Sequence, residues 1–306
     1  MTIFLDYLRD YVSTVDKRLL LFCSIWIGIL VTLNYQLGVE REMIAGLGSR
    51  YYQFAALSGL YYCAFVIPYC FVIARRINQG ALTPVFWGLL MFAPLLFALK
   101  VCITNPFENL AAGVWGDYVA AVTALPFRLL VVLIPLLILA MRLPAQQSFW
   151  GMTWKGVQWR PYMLMLGFML PLIIFASTQP DFLNTYPRLK QIDFILPHTE
   201  HPIIIQLLYE ISYGLDFVTI ELFFRGFLIF AFVRYVGAAA ILPMAAFYCS
   251  IHFGKPLFEC ISSYFGGLIL GIVAYRTQSI AGGLAVHLGV AWMMEIGGFL
   301  GNLALK

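Results

Sequence analysis

Charge is scarce in this chain: only 11% of its 306 residues are Asp, Glu, Lys or Arg, against about 25% in an ordinary soluble domain. That scarcity excludes a soluble globular enzyme, a disordered chain and a nucleic-acid binder, all of which need more charged surface. A formal net charge of +4 makes no basic patch. Cysteine is sparse as well, six in all, at Cys23, Cys63, Cys70, Cys102, Cys249 and Cys260. They show neither metal-ligand spacing nor a small secreted frame, so they read as small apolar packing residues. Internal repeats and low-complexity tracts are missing. So is the basic start, compact apolar stretch and small-residue cleavage site of a signal peptide. What the chain has in abundance is apolar sequence, 62% of the total.

A helix needs about 20 apolar residues to cross a hydrocarbon core roughly 30 Å thick. Stretches of that kind run over 18–37, 52–74, 82–102, 117–141, 161–178, 203–234, 237–252, 257–275 and 279–301. The fold class is therefore all-α, a polytopic transmembrane helix bundle of eight or nine spans, since 203–234 is long enough to tilt, break or contain a partial re-entrant piece. Residues 1–17 place Leu5, Leu8, Tyr11, Val12 and Val15 at helical spacing among Asp6, Arg9, Asp10 and Asp16, the pattern of an interfacial helix. The domain expectation is an interfacial helix over 1–17, N-terminal transmembrane helices over 18–178, a polar Pro-containing loop over 179–202, and a C-terminal core over 203–301. The connection 142–160 combines Arg142, Lys155 and Arg160 with Trp150, Trp154 and Trp159, and reads as a basic, aromatic interfacial loop. With the N-terminus inside, more Arg and Lys fall on inner loops than on outer ones, which sets the expected orientation.

Ionisable residues within apolar segments concentrate after residue 203: Glu210, Asp216, Glu221, Arg225, His252, Glu259, His287 and Glu295. A charge near the bilayer centre costs at least a few kcal/mol, so such groups pair, line a cavity or do chemistry. At about 1.5 Å rise per residue, Glu221, His252, Glu259 and Glu295 fall in one layer roughly 20–24 Å from the turns near 235 and 277. Arg225 and His287 fall roughly 12–14 Å from those turns by the same rise. Glu221 and Arg225 have the i,i+4 spacing of an intrahelical ion pair. Pro256 clashes with the carbonyl four residues back, so a helix ends near His252. Glu259 then lies in the first turn of the next helix, where a carboxylate is favoured. His198 and His201 sit on the Pro-rich loop and read as surface histidines.

These residues resemble the CPBP intramembrane proteases, which include the type II CAAX prenyl endopeptidases and bacterial lysostaphin-resistance and bacteriocin-processing relatives. The resemblance covers about 203–301. The family's E-E-x-x-x-R motif is present as Ile220-Glu221-Leu222-Phe223-Phe224-Arg225, followed by Gly226. F-x-x-x-H is present as Tyr248-Cys249-Ser250-Ile251-His252, and H-x-x-x-N/D as His287-Leu288-Gly289-Val290-Ala291. The resemblance implies a C-terminal four-helix core and a water-activating pair formed by the first Glu and the second-motif His. Two positions depart: Ile220 replaces that first Glu, and Ala291 replaces the amide or acid that helps the oxyanion.

The resemblance implies an intramembrane endopeptidase that hydrolyses a membrane-associated or lipidated peptide, embedded in the lipid bilayer of a bacterial cytoplasmic membrane. Its expected catalytic residues are Glu221, His252, Glu259 and His287, with Arg225, Tyr248 and Glu295 in support. A buried Glu has its pKa raised by desolvation, which suits it to general-base work. Glu259 and Glu295 are the carboxylates placed to compensate for Ile220. No organic cofactor is expected; a zinc ion on His252 and His287 is the open metal question. The alternatives are an inactive CPBP-like scaffold that binds a membrane-protein partner, and a proton-coupled transporter.

Overall fold

A backbone surrounded by lipid has no water to bond to, so each crossing segment must satisfy its own N–H and C=O groups. The computed structural model meets that demand with helix. It is 83% helical, and the all-α, polytopic fold expected from the sequence is the one observed. It describes residues 2–75, 82–143, 148–155 and 157–304, with side chains from residue 4. Met1 of the N-terminal helix and residues 144–147 and 156 of the Trp-bearing connection lie outside the described residues. Among the described residues no strand occurs.

The helices are α1 (Thr2–Thr14), α2 (Lys17–Leu37), α3 (Arg50–Ala74), α4 (Pro84–Cys102), α5 (Gly113–Arg142), α6 (Trp159–Ala176), α7 (Pro180–Thr185), α8 (Pro202–Glu221), α9 (Leu228–Phe230), α10 (Val233–Val236), α11 (Ile241–Ser250), α12 (Leu257–Thr277) and α13 (Ala281–Ala304). Among the described residues eight helical stretches are long and apolar enough to cross a membrane. Local chemistry sets several boundaries. The Asp16 carboxylate accepts from the Arg18 and Leu19 N–H groups at 2.8 and 3.0 Å and starts α2. Gly38 stops α2 in the left-handed region at φ 63°, where a glycine carries no Cβ penalty.

The longest apolar stretch, Pro202–Ser250, counts 49 residues and is interrupted three times. A π-helical turn occupies Leu222–Phe227. The chain then doubles back near Gly237, whose φ of 57° and ψ of −145° fit glycine alone. Phe224 and Phe247 show the reversal, because their ring centroids lie 5.2 Å apart, whereas a straight helix would separate them by roughly 35 Å. Within 203–234, the span read as long enough to break, the α-helix gives way to the π-turn, and the reversal follows at its end.

The chain forms two compact units interleaved along the sequence. The first comprises residues 1–102, 138–157 and 221–281. Its interior is aromatic: Phe65, Tyr69, Phe97, Phe223, Phe227, Phe232 and Phe247 meet edge-on or tilted, a geometry that adds to their burial. Small residues let α12 reach α11 closely. A Cβ built on Gly267 would stand 2.8 Å from Tyr248, and one on Gly271 would stand 2.5 Å from Met244. The second unit comprises 103–137, 158–220 and 282–306. Tyr118, Ile192, Ile195, Ile205 and Tyr209 form one of its cores, and Ile173, Phe182, Leu183 and Tyr186 another. Within it the Tyr118 and Ser212 hydroxyls donate to the Ile205 and Val122 carbonyls at 2.9 and 2.6 Å.

The Trp-bearing connection departs in part from the expected interfacial loop. Trp154 and Trp159 are exposed, but Trp150 is 1% exposed and packs on Phe227 with ring centroids 5.4 Å apart. Gly226 makes room for it, since a Cβ there would lie 2.7 Å from the Trp150 carbonyl oxygen. An indole this large stabilises more by filling the first unit's interior than by lying at an interface.

Candidate functional site

The first unit gathers two of the three motifs. The π-turn carries Arg225, fully buried, with Nη1 3.3 Å from Glu221 Oε1; neither side chain is exposed. Two desolvated ions persist only when paired, so each is a condition for the other. The guanidinium carbon also lies 3.9 Å from the centroid of Tyr248, close enough for a desolvated cation–π contact of about 2 kcal/mol. Tyr248 meets His252 edge-on with centroids 4.7 Å apart. Carboxylate, guanidinium, phenol ring and imidazole therefore follow one another in contact. Where the family pattern has Phe, Tyr248 supplies the ring that joins motif one to motif two.

His252 lies in the turn between α11 and α12, where α11 ends at Ser250 and Pro256 precedes Leu257. Its Nδ1 stands 2.9 Å from the Tyr248 carbonyl. A carbonyl can only accept, so Nδ1 carries the proton and Nε2 is the basic nitrogen. Glu259 stands in the first turn of α12. Its Oε1 is 3.4 Å from Lys255 Nζ, and both side chains keep partial access to solvent.

The remaining candidates belong to the second unit. His287 on α13 packs against Phe217, with centroids 5.9 Å apart. Glu295 accepts from the Arg188 and Leu189 N–H groups at 2.7 and 3.1 Å, so both of its oxygens cap the 3-10 segment Arg188–His198. Ile220 and Ala291 are both buried. His198 and His201 are exposed. Among the described residues no three His, Cys, Asp or Glu side chains gather closely enough to hold a metal ion. The described residues therefore make up no zinc ligand set.

Sequence reasoning missed one part of the first unit. After α2 the chain makes a second π-helical turn, Val39–Ile44, against the loop that follows His252. Asn34 Nδ2 donates to the Phe253 carbonyl at 3.0 Å, and Tyr35 Oη to the Lys255 carbonyl at 2.6 Å. Arg41 donates to the Gly254 carbonyl through Nε and Nη2, at 3.3 and 3.1 Å. The Glu40 carboxyl lies close against Gly254; burial pushes it up to about 7, opposed by the Gly254 backbone and by Arg41 and Lys255. The only signal in the sequence was Glu40-Arg41-Glu42 beside an apolar run, which a membrane-surface anchor would show equally.

Residues 204–293 match the family model described as Rce1-like, type II CAAX prenyl endopeptidase Rce1-like. No curated protein and no solved structure matches the chain. The match takes in Glu221, Arg225, Tyr248, His252, Glu259 and His287, and it leaves out Glu295 and everything before residue 204. The chain is an integral membrane protein whose segment 204–293 is similar to the Rce1-like type II CAAX prenyl endopeptidases, the family its three motifs resemble.

Proposed function

We propose that this protein is an intramembrane endopeptidase that hydrolyses a prenylated or otherwise membrane-associated peptide, with its N-terminus inside a bacterial cytoplasmic membrane. The observation that carries the reading is the contact series Glu221–Arg225–Tyr248–His252, which joins two motifs of the matched segment. His252 Nε2 and the Glu259 carboxylate activate water. One takes a proton as the water oxygen attacks the scissile carbonyl carbon, and that proton then passes to the departing amine nitrogen as the C–N bond breaks. Glu259 suits this role because it keeps access to solvent. Glu221 is held by Arg225 in the buried interior and serves to fix the guanidinium under Tyr248. His287 enters as the third-motif residue carried over from the family, and Glu295 as a cap. No step passes through a metal.

The reading is tested with the full chain in proteoliposomes and a fluorogenic farnesylated peptide ending in a CAAX sequence. Wild type should release the C-terminal tripeptide. His252→Ala and Glu259→Gln should each lose at least about two orders of magnitude in rate, the lower end of the general-base contribution. Full activity in Glu259→Gln would remove that residue from the mechanism. A second reading, an inactive scaffold, is favoured by Ile220 and Ala291, apolar and buried where the family carries polar groups. Wild type that cleaves no membrane peptide yet retains a partner from its own membrane would support it.

A further inference from the structure

Three consecutive carbonyls after His252, those of Phe253, Gly254 and Lys255, are taken by Asn34, Arg41 and Tyr35 respectively. All three donors come from one short stretch more than 200 residues earlier in the chain. Carbonyls in a turn between helices have no helical partner and must be satisfied from elsewhere. Here another element supplies the partners, so the loop's path is dictated by the α2 end and its π-turn. Asn34 is the centre of the arrangement. It is buried, its Nδ2 donates to Phe253, and its Oδ1 accepts from the Glu40 N–H at 3.0 Å. One amide thus links the π-turn to the histidine loop. Gly254 is held through its carbonyl by Arg41, and the Glu40 carboxyl lies close against it. A Cβ on Gly254 would stand 3.0 Å from Glu40 Oε1, so the approach is close.

We propose that Asn34, Tyr35, Glu40 and Arg41 form a positioning clamp for the His252 loop, lying outside the segment similar to the Rce1-like family and setting where the imidazole stands. None of the four reacts; each acts through the backbone that carries His252. A clamp of this kind is needed because α11 is only ten residues long and ends at a proline-bounded turn. Such a turn keeps several conformations unless its carbonyls are held. Misplacement of a reacting group by about 1 Å costs roughly a hundredfold in rate, so a loosened loop leaves the fold intact and removes turnover. The turnover part rests on the endopeptidase reading; the claim that the clamp positions His252 does not.

The experiment therefore has two arms, both on the full chain. In the first, Asn34→Asp keeps the acceptor for the Glu40 N–H and loses the donor to Phe253. Tyr35→Phe deletes a single hydroxyl. Both should lower kcat by roughly tenfold or more with KM and melting temperature close to wild type. In the second arm, diethyl pyrocarbonate modifies histidines in detergent and mass spectrometry reads the rate at His252, with exposed His198 and His201 as internal references. The His252 rate relative to those references should rise several-fold in both variants. If Asn34→Asp fails to fold, Tyr35→Phe and Arg41→Lys carry both arms. An unchanged relative His252 rate overturns the clamp. If wild type cleaves nothing, the endopeptidase reading fails and the modification arm alone decides the clamp. If wild type is active but kcat is unchanged in variants whose His252 rate has risen, the loop does not limit turnover and the catalytic part of the proposal is overturned.

Discussion

Arg225 is a fully buried ion whose desolvation is offset by Glu221 and by the face of Tyr248. Arg225→Ala leaves the Glu221 carboxylate buried without its cation, a loss of about 3–5 kcal/mol in comparable pairs. The expected outcome is a much lower melting temperature in detergent. The double variant Glu221→Leu with Arg225→Met should recover much of that loss, since matched apolar groups remove both charges together. Glu40 makes a second prediction at the level of one group. Its carboxyl is raised from 4.5 to about 7 by burial, so between those values the folded chain binds the proton more readily than the unfolded chain. Its contribution to stability is present in full below pH 4.5 and is lost as pH rises through about 7. Arg41, Lys255, Tyr61 and Cys260 are the charged and titratable groups within its electrostatic reach. Thermal unfolding of wild type and Glu40→Gln across that window should diverge, with wild type losing more stability towards alkaline pH. Parallel curves would show that Glu40 titrates as an exposed carboxylate.

Between elements, contact distance is set by glycine. Gly267 on α12 faces Tyr248 on α11, and a methyl group there would stand 2.8 Å from the ring and 3.6 Å from the Ala245 Cα. The ring cannot yield without leaving Arg225 or His252. Gly267→Ala should therefore cost about 1–3 kcal/mol, as overpacking does, and lower turnover as well. Gly266, its neighbour, has open space around it, so Gly266→Ala should be neutral or slightly stabilising, by less than about 1 kcal/mol. Thermal melting of the two variants side by side separates a packing effect from a change in helix propensity. The π-turn over Leu222–Phe227 belongs to the same level of organisation: it carries Arg225 and seats Gly226 against Trp150. Single π-turns within helices gather at functional sites, and this one coincides with the first motif.

For the molecule as a whole, the two units place different demands on the charges they contain. In the second unit Glu295 caps the Arg188–His198 segment rather than standing alone in an apolar helix. Glu295→Gln puts an amide donor where two N–H donors already converge, and charge-assisted bonds of this type are worth about 1.5–3 kcal/mol. Faster proteolysis or hydrogen exchange over residues 188–198, with exchange at His252 unchanged, is the expected result.

Helix content and the stretches long and apolar enough to cross a membrane were legible in the sequence, because apolar length and backbone satisfaction in lipid are local constraints. So was the Glu221–Arg225 pair, since i,i+4 spacing belongs to one helix. The end of a helix near His252 and the place of Glu259 in the next first turn were legible too, since Pro256 acts on its own neighbourhood. Tertiary structure decided the rest. Trp150 reads as an interfacial indole until Gly226 offers it a seat, and nothing in the Glu40-Arg41 pair of residues announces the His252 loop that lies against them. Those contacts join residues more than 200 positions apart, and no periodicity encodes them. A side chain's local pattern records which face it occupies; what it meets there is fixed only when distant helices pack.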